Sequence, residues 1–207
     1  MTQRGNRRME TFFCEEDCEE YVGLMAERCR THGVEVWAYC LMPNHVHMVA
    51  VPHTEDGLRR AIGEAHRRYT RMVNFRENWR GHLWQSRFAS FPMDESHLLA
   101  AARYVELNPV KAGLARRAGE YRWSSAGAHV AGKDDAFVRV RPILDRVEDW
   151  SAFLAAGGED AYGRLYERHE ATGRPLGPKH FLVVLEKALG RLLQPRKPGR
   201  PPGRKAK

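Results

Sequence analysis

Apolar residues fall on every second position from Val34 to Cys40, with Glu35, Trp37, Tyr39 and Leu41 between them, and the alternation resumes from His45 to Val51. A period of two is the signature of a strand with one face on a core. Met42, Pro43 and Asn44 interrupt it with turn chemistry, so the segment predicts a β-hairpin. Helical period flanks it on both sides. From about Glu15 to His32 the residues Tyr21, Val22, Met25 and Cys29 share one side, and Gly33 supplies a C-terminal stop. Further on, Leu58, Ile62, Ala65, Tyr69, Met72 and Val73 form an apolar stripe expected to face the sheet, while Arg59, Arg60, Arg67, Arg68 and Arg71 decorate the same helix.

A third helix is predicted after Asp94, a good N-cap, through Leu98, Leu99, Ala101, Ala102 and Val105. Pro109 is expected to end it near Asn108. Beyond Ser125 the pattern loosens through Gly127, Gly132 and Gly157-Gly158, and short helices follow between about Val138 and Gly190. These include Asp149 to Ala156 and Lys179 to Leu193, the latter with Phe181, Val184, Leu185 and Leu189 on one face. The reading divides the chain into a main domain (1–130), a helical region (131–193) and a tail (194–207). No internal repeat or membrane-length apolar run interrupts this order.

The hairpin carries the most informative chemistry. His45 and His47 lie two apart on the second strand, so both imidazoles project from one face and can converge on a divalent metal while Val46 points into the core. Taken alone, such a pair is also compatible with polar surface. Tyr104 and Asn108 stand at i and i+4 of the third helix and share a face. By themselves they also fit a core-edge aromatic and a helix-end amide.

Charge adds a second theme. Of the formal +8, the segment Arg191–Lys207 contributes seven basic residues and no acidic one, leaving the rest of the chain at +1. A Pro/Gly/Lys/Arg tail of this kind builds no core. Its residues Arg196, Lys197, Arg200, Arg204 and Lys205 suit DNA in either of two ways. Pro198-Gly199-Arg200-Pro201 resembles an AT-hook that reads a narrow minor groove, and the whole tail also fits a polycation neutralising phosphates. The five arginines of the second helix are candidates for tracking a DNA backbone. Trp84, Phe88, Phe91 and Trp123 are candidates for stacking on unpaired bases or for core packing. Cys14, Cys18, Cys29 and Cys40 lack zinc-finger spacing and follow no secretory signal, which fits reduced thiols in a cytoplasmic protein.

Several strings together carry a family resemblance. Leu41-Met-Pro-Asn-His-Val-His47, Gly81-His-Leu-Trp-Gln-Ser-Arg-Phe88, Arg103-Tyr-Val-Glu-Leu-Asn-Pro-Val-Lys-Ala-Gly-Leu114, Tyr121-Arg-Trp-Ser-Ser125 and Thr172-Gly-Arg-Pro-Leu-Gly177 stand in one order over nearly the whole chain. The set resembles the REP-associated tyrosine transposases, a branch of the HUH single-tyrosine insertion-sequence transposases. The resemblance implies a ferredoxin-like α+β domain, an antiparallel sheet with helices on one face. It also implies a tyrosine nucleophile at Tyr104 and metal ligands at His45, His47 and Asn108. Two imidazoles and an amide leave open positions on an ion, and the mixed N/O set suits Mg²⁺ or Mn²⁺.

The activity so implied is metal-dependent nicking and rejoining of single-stranded DNA hairpins from palindromic repeats, through a 5′-phosphotyrosine intermediate. The expected protein is a cytoplasmic monomer or homodimer with no membrane association. Two other readings stay open: a domesticated hairpin binder that does not cleave, and a metal-dependent hydrolase of another substrate for which Tyr104 is dispensable. One departure concerns the amino terminus, where family members carry a further stretch that forms the first strand. Either translation starts upstream, or the first strand is nearly absent and a sheet edge is exposed.

Overall fold

The computed structural model describes residues 1–156 and 161–194. Its elements run β1 (Thr2–Arg4), α1 (Glu15–Thr31), β2 (Val34–Met42), β3 (His45–Pro52), α2 (Gly57–Arg76), α3 (Leu98–Lys111), α4 (Ala126–Ala131), α5 (Arg141–Leu144), α6 (Trp150–Ala155), α7 (Ala161–Thr172) and α8 (Lys179–Leu189). The three strands form one antiparallel sheet in the order β1-β3-β2, an α+β arrangement. Both predicted hairpin strands and the first two helices form where the periodicity places them. The hairpin loop tightens to Pro43-Asn44, because Met42 already pairs with His45.

The alternation of β2 changes phase. A bulge between Val36 and Ala38 slips the register, so Val34 and Val36 share a core with Tyr39 and Leu41, while Ala38, Cys40 and Met42 face the other way. The strand is therefore buried on both faces in its second half, which a simple in/out reading misses. The first core gathers α1 and α2 around Val46 and Met48. A second core gathers α3 with Ala38, Cys40 and Val49, together with Ile143, Trp150, Leu154 and Tyr166 from the helical region. Helices thus cover both faces of the sheet and not one, as the family resemblance implied.

Both sheet edges are closed by irregular chain. Thr2 and Ala89 exchange backbone hydrogen bonds of 2.8 and 2.9 Å, and Gln85 N–H and Asn6 N–H extend the pairing to Arg4 and Leu83 carbonyls. The exposed first-strand edge expected from the sequence is therefore covered by residues 83–89. On β2, Leu41 N–H donates to Trp123 O and Arg139 N–H to Val36 O, both at 2.8 Å. Each of these contacts removes an unpaired strand edge.

Pro109 does not end α3; the helix runs on to Lys111. A proline there lacks the N–H that would bond Val105 O, and the Asn108 side chain supplies a substitute: its Nδ2 donates to Tyr104 O at 2.8 Å and to Val105 O at 3.3 Å. Asp94 begins a short 3₁₀ turn, Glu95–His97, that leads into α3. The predicted helix at Asp149 forms as α6, and Asp149 caps it, its Oδ1 accepting from Ala152 N–H at 2.9 Å. The amphipathic face of α8 stays uncovered among the described residues, with Val184 and Leu189 both exposed.

Two buried polar groups organise the cores. Glu106, fully buried on α3, accepts from Trp150 Nε1 at 2.7 Å, from His129 Nδ1 at 2.6 Å and from the Ser125 hydroxyl, which ties α3 to α4 and α6. His66, in the other core, shares a 2.8 Å hydrogen bond with the Tyr21 hydroxyl and stacks on Trp84. Burial pushes the His66 imidazole down from 6.5 to about 3. Its unfolded form binds a proton below about 6.5 while the folded form resists until near 3, so stability is full above that range and falls as pH drops through it. Denaturant titrations between about pH 6.5 and about pH 4.5 are therefore expected to show a fall that His66→Gln makes shallower by up to about 1.4 kcal/mol per pH unit. An unchanged slope in the variant would contradict the neutral buried state assigned to His66.

Candidate active site

The sheet brings three of the predicted residues together. His45 and His47 project from the β3 face turned towards α3, with ring centroids 4.8 Å apart and nearly perpendicular. The Tyr104 ring stands edge-on to His47 at a centroid distance of 5.6 Å. Lys111, two turns along α3, holds its ammonium 5.3 Å from the centroid of the Tyr104 ring, and Tyr166 of α7 packs on the same ring at 5.2 Å. Asn108 lies one turn beyond Tyr104 and is half-buried.

Each imidazole is oriented by a neighbour. Asn44 donates Nδ2–H to Arg8 O at 3.0 Å, which turns its Oδ1 towards His45, and His45 Nδ1–H donates to that oxygen at 2.6 Å. An amide oxygen only accepts, so this bond fixes the tautomer and leaves Nε2 of His45 with the lone pair. His47 Nδ1 lies 3.1 Å from the Thr2 hydroxyl, brought there by the pairing of Thr2 with His47. A hydroxyl accepts as well as donates, so this contact is compatible with the Nδ1–H tautomer that would leave the Nε2 lone pair of His47 for a metal.

Electrostatics favours the same protonation state. Burial, with Arg4 adding to it, pushes His45 down to about 4. Burial, then His45 and Arg4, pushes His47 well below its usual value. Both rings are neutral at pH 7, the form that ligates metals. On Asn108 the two Nδ2 hydrogens are engaged by the Tyr104 and Val105 carbonyls, leaving Oδ1 as its donor atom. Two imidazole nitrogens and one amide oxygen therefore fit a divalent ion that keeps further positions for phosphate oxygens. Among the described residues no cluster of three or more His, Cys, Asp or Glu forms.

The predicted DNA contacts separate. Arg59 and Arg67 line one cleft; Asp56 pairs with Arg60 at 2.5 Å and with Arg59 at 3.8 Å, and Arg68 approaches Glu27 at 4.0 Å. Arg71 lies outside that cleft. All five stand on α2, behind the sheet face that carries the histidines. Trp84 is buried in the first core with Phe88 and Trp123 at its margin, and Phe91 borders the second, so core packing accounts for these rings. Arg196, Lys197, Arg200, Arg204 and Lys205 lie outside the described residues. Sequence reasoning missed Asn44, Thr2 and Arg4 as partners of the histidines. Asn44 was visible as the residue beside the pair, but Thr2 and Arg4 are recruited only by the β1–β3 register.

No curated protein matches the chain. A solved structure, a REP-associated tyrosine transposase bound to a REP hairpin, superposes with a TM-score of 0.54 at 20% identity, covering 67% of this chain and 82% of that one. It shares the fold. The family model for IS200-like transposases matches residues 4–108, a span that holds β2, β3, both histidines, Tyr104 and Asn108. The chain therefore belongs to the IS200-like transposase family.

Proposed function

We propose that this protein is a metal-dependent single-stranded DNA transposase of the REP-associated branch, which nicks and rejoins hairpin-containing DNA through a 5′-phosphotyrosine intermediate. The observation that carries the proposal is the packing of the Tyr104 ring against His47, beside His45, whose Nδ1–H is engaged by Asn44 so that its Nε2 keeps the lone pair. Membership of the IS200-like family and the shared fold support it.

A phenol with a pKa near 10 is only about 0.1% ionised at pH 7, so attack on a phosphodiester needs help. Mg²⁺ or Mn²⁺ held by His45, His47 and Asn108 would supply it as a Lewis acid that polarises the scissile phosphate. The chain's own residues do the rest. Tyr104 gives up its phenolic proton and its Oη bonds to phosphorus. The bond from phosphorus to the 3′ oxygen breaks, and that oxygen takes a proton. The 3′-hydroxyl of the departing strand, or of another strand, reverses the step and rejoins DNA with no nucleotide cofactor. The Lys111 ammonium lies 5.3 Å from the centre of the Tyr104 ring, within cation–π range, and helps hold the ring in place. Asn44 and Thr2 hold the imidazoles in register, so little reorganisation is needed at the moment of reaction.

End-labelled single-stranded hairpins, incubated with the protein and Mn²⁺ or EDTA, are expected to give a denaturant-resistant protein–DNA adduct that needs both metal and Tyr104. Tyr104→Phe should abolish the adduct and retain hairpin binding, and His45→Ala should lower activity by at least about 100-fold. Cleavage by Tyr104→Phe at the parental rate would overturn the tyrosine mechanism, and hairpin binding with no adduct from the parent would reassign the protein as a binder.

The basic tail is proposed as a second DNA contact. Removing residues 194–207 should weaken hairpin binding and flatten the log K against log salt plot by several charges, each contributing about 0.7 to the slope on single strands. An unchanged slope would remove the tail from the interface.

A further inference from the structure

Two free cysteines share a cavity where α1 begins. The cavity, about 260 Å³, lies between the start of that helix, the Leu41–Pro43 end of β2 and its loop, and the segment holding Tyr121 and Trp123. Cys14, the exposed residue immediately before α1, and Cys18, only 7% exposed, both line it. They stand about one helical turn apart, a spacing that puts side chains on the same side of a helix. Burial, then the Asp17 charge and then Cys14, push the Cys18 thiol up to about 12, so the two sulfurs lie within electrostatic reach of each other.

The turn that carries Cys14 is fixed. Phe13 N–H donates to Asp17 Oδ2 at 2.9 Å, and the buried Asp17 carboxylate accepts in turn from Arg76 Nη2 at 2.9 Å. The other lining side chains offer little to a hard ion. Phe12, Leu41 and Trp123 are apolar, Met42 carries a thioether, and the Glu15 carboxylate is taken by Arg122 Nη1 at 2.6 Å. Arg122 also lies close enough to Cys18 to favour its thiolate.

Among the described residues no group of three His, Cys, Asp or Glu side chains could hold an ion, so the ligand set of a four-coordinate zinc is missing. Two thiolates with soft, apolar surroundings suit an ion that is itself soft and content with few ligands, and thiolate and thioether sulfur select Cu(I) among the common metals.

We infer that Cys14 and Cys18 form a Cu(I) site, with the ion held between their two sulfurs. Binding is a ligand exchange: two S–H bonds break, two Cu–S bonds form, two protons pass to solvent and copper stays monovalent. The resulting centre carries one negative charge, which the Arg122 guanidinium offsets. The site shares no ligand with His45, His47 or Asn108 and stands independently of the proposed function.

The test is a titration of the full, reduced chain with Cu(I), free of oxygen, in competition with a chromogenic Cu(I) chelator. Cys14→Ser is the main variant, because Cys14 is exposed and serine is favoured at the residue before a helix. Cys18→Ala removes the second sulfur. Cys29→Ala is the control, since it removes a buried thiol of the same helix that lies outside the cavity.

The expected result is one ion bound per parent chain and a loss of at least about 100-fold in affinity in Cys14→Ser and in Cys18→Ala, the upper end of what even an outer-shell change costs a metal site. Cys29→Ala should bind as the parent does. No uptake by the parent, parental affinity in Cys14→Ser, or an equal loss in Cys29→Ala would overturn the site. Displacement of the bound Cu(I) by an equal concentration of Zn²⁺ would overturn its assignment to a soft ion of low coordination number.

Discussion

The register of β3 between its two neighbours is the constraint on which the site depends. Because side chains alternate along a strand, the pairing that seats Val46 and Met48 in the first core turns His45 and His47 to the opposite face. The same pairing sets Thr2 beside His47 and Arg4 beside His45. A slip of one residue would bury both imidazoles among α1 and α2 and expose the apolar pair, so core packing and site geometry select the same register. The bulge in β2 accommodates the second core without disturbing the hairpin end, where Met42 and Cys40 remain opposite the histidines.

Helix α3 is held against this face by groups at its own centre. Glu106 lies two residues from both Tyr104 and Asn108 and so points away from them, into its hydrogen bonds with Ser125, His129 and Trp150. A buried carboxylate without those partners would be strongly destabilising, which makes the network a specific lock between α3 and the helical region. Pro109 contributes on the other side. By removing a backbone donor it leaves the Val105 carbonyl to the Asn108 Nδ2, and the amide oxygen is left out of these bonds. A feature expected to terminate the helix instead fixes the Asn108 side chain against it.

The legible parts of the protein were those set by local pattern. Alternation placed the histidines on one face, helical spacing put Tyr104 and Asn108 together, and Gly33 marked the end of α1. What sequence did not reveal depends on distant chain. The phase change in β2 follows from a second core assembled by residues beyond 98, and the covering of β1 follows from a loop more than 80 residues away. The stacking candidates Trp84 and Trp123 proved to be packed against the first core because α1, α2 and the loop enclose them together. The cleft holding Arg59 and Arg67 has no linear signature, since Gln3, α2 and the 82–88 segment meet only in the fold.

The central claim is that His45, His47 and Asn108 form one metal centre beside Tyr104. The most direct measurement is an anomalous-difference map from crystals of the protein equilibrated with Mn²⁺. The account predicts a single strong peak at about 2.0–2.3 Å from Nε2 of both histidines and from Oδ1 of Asn108. Mn²⁺ bound elsewhere, or bound through Nδ1 of either ring, would contradict it.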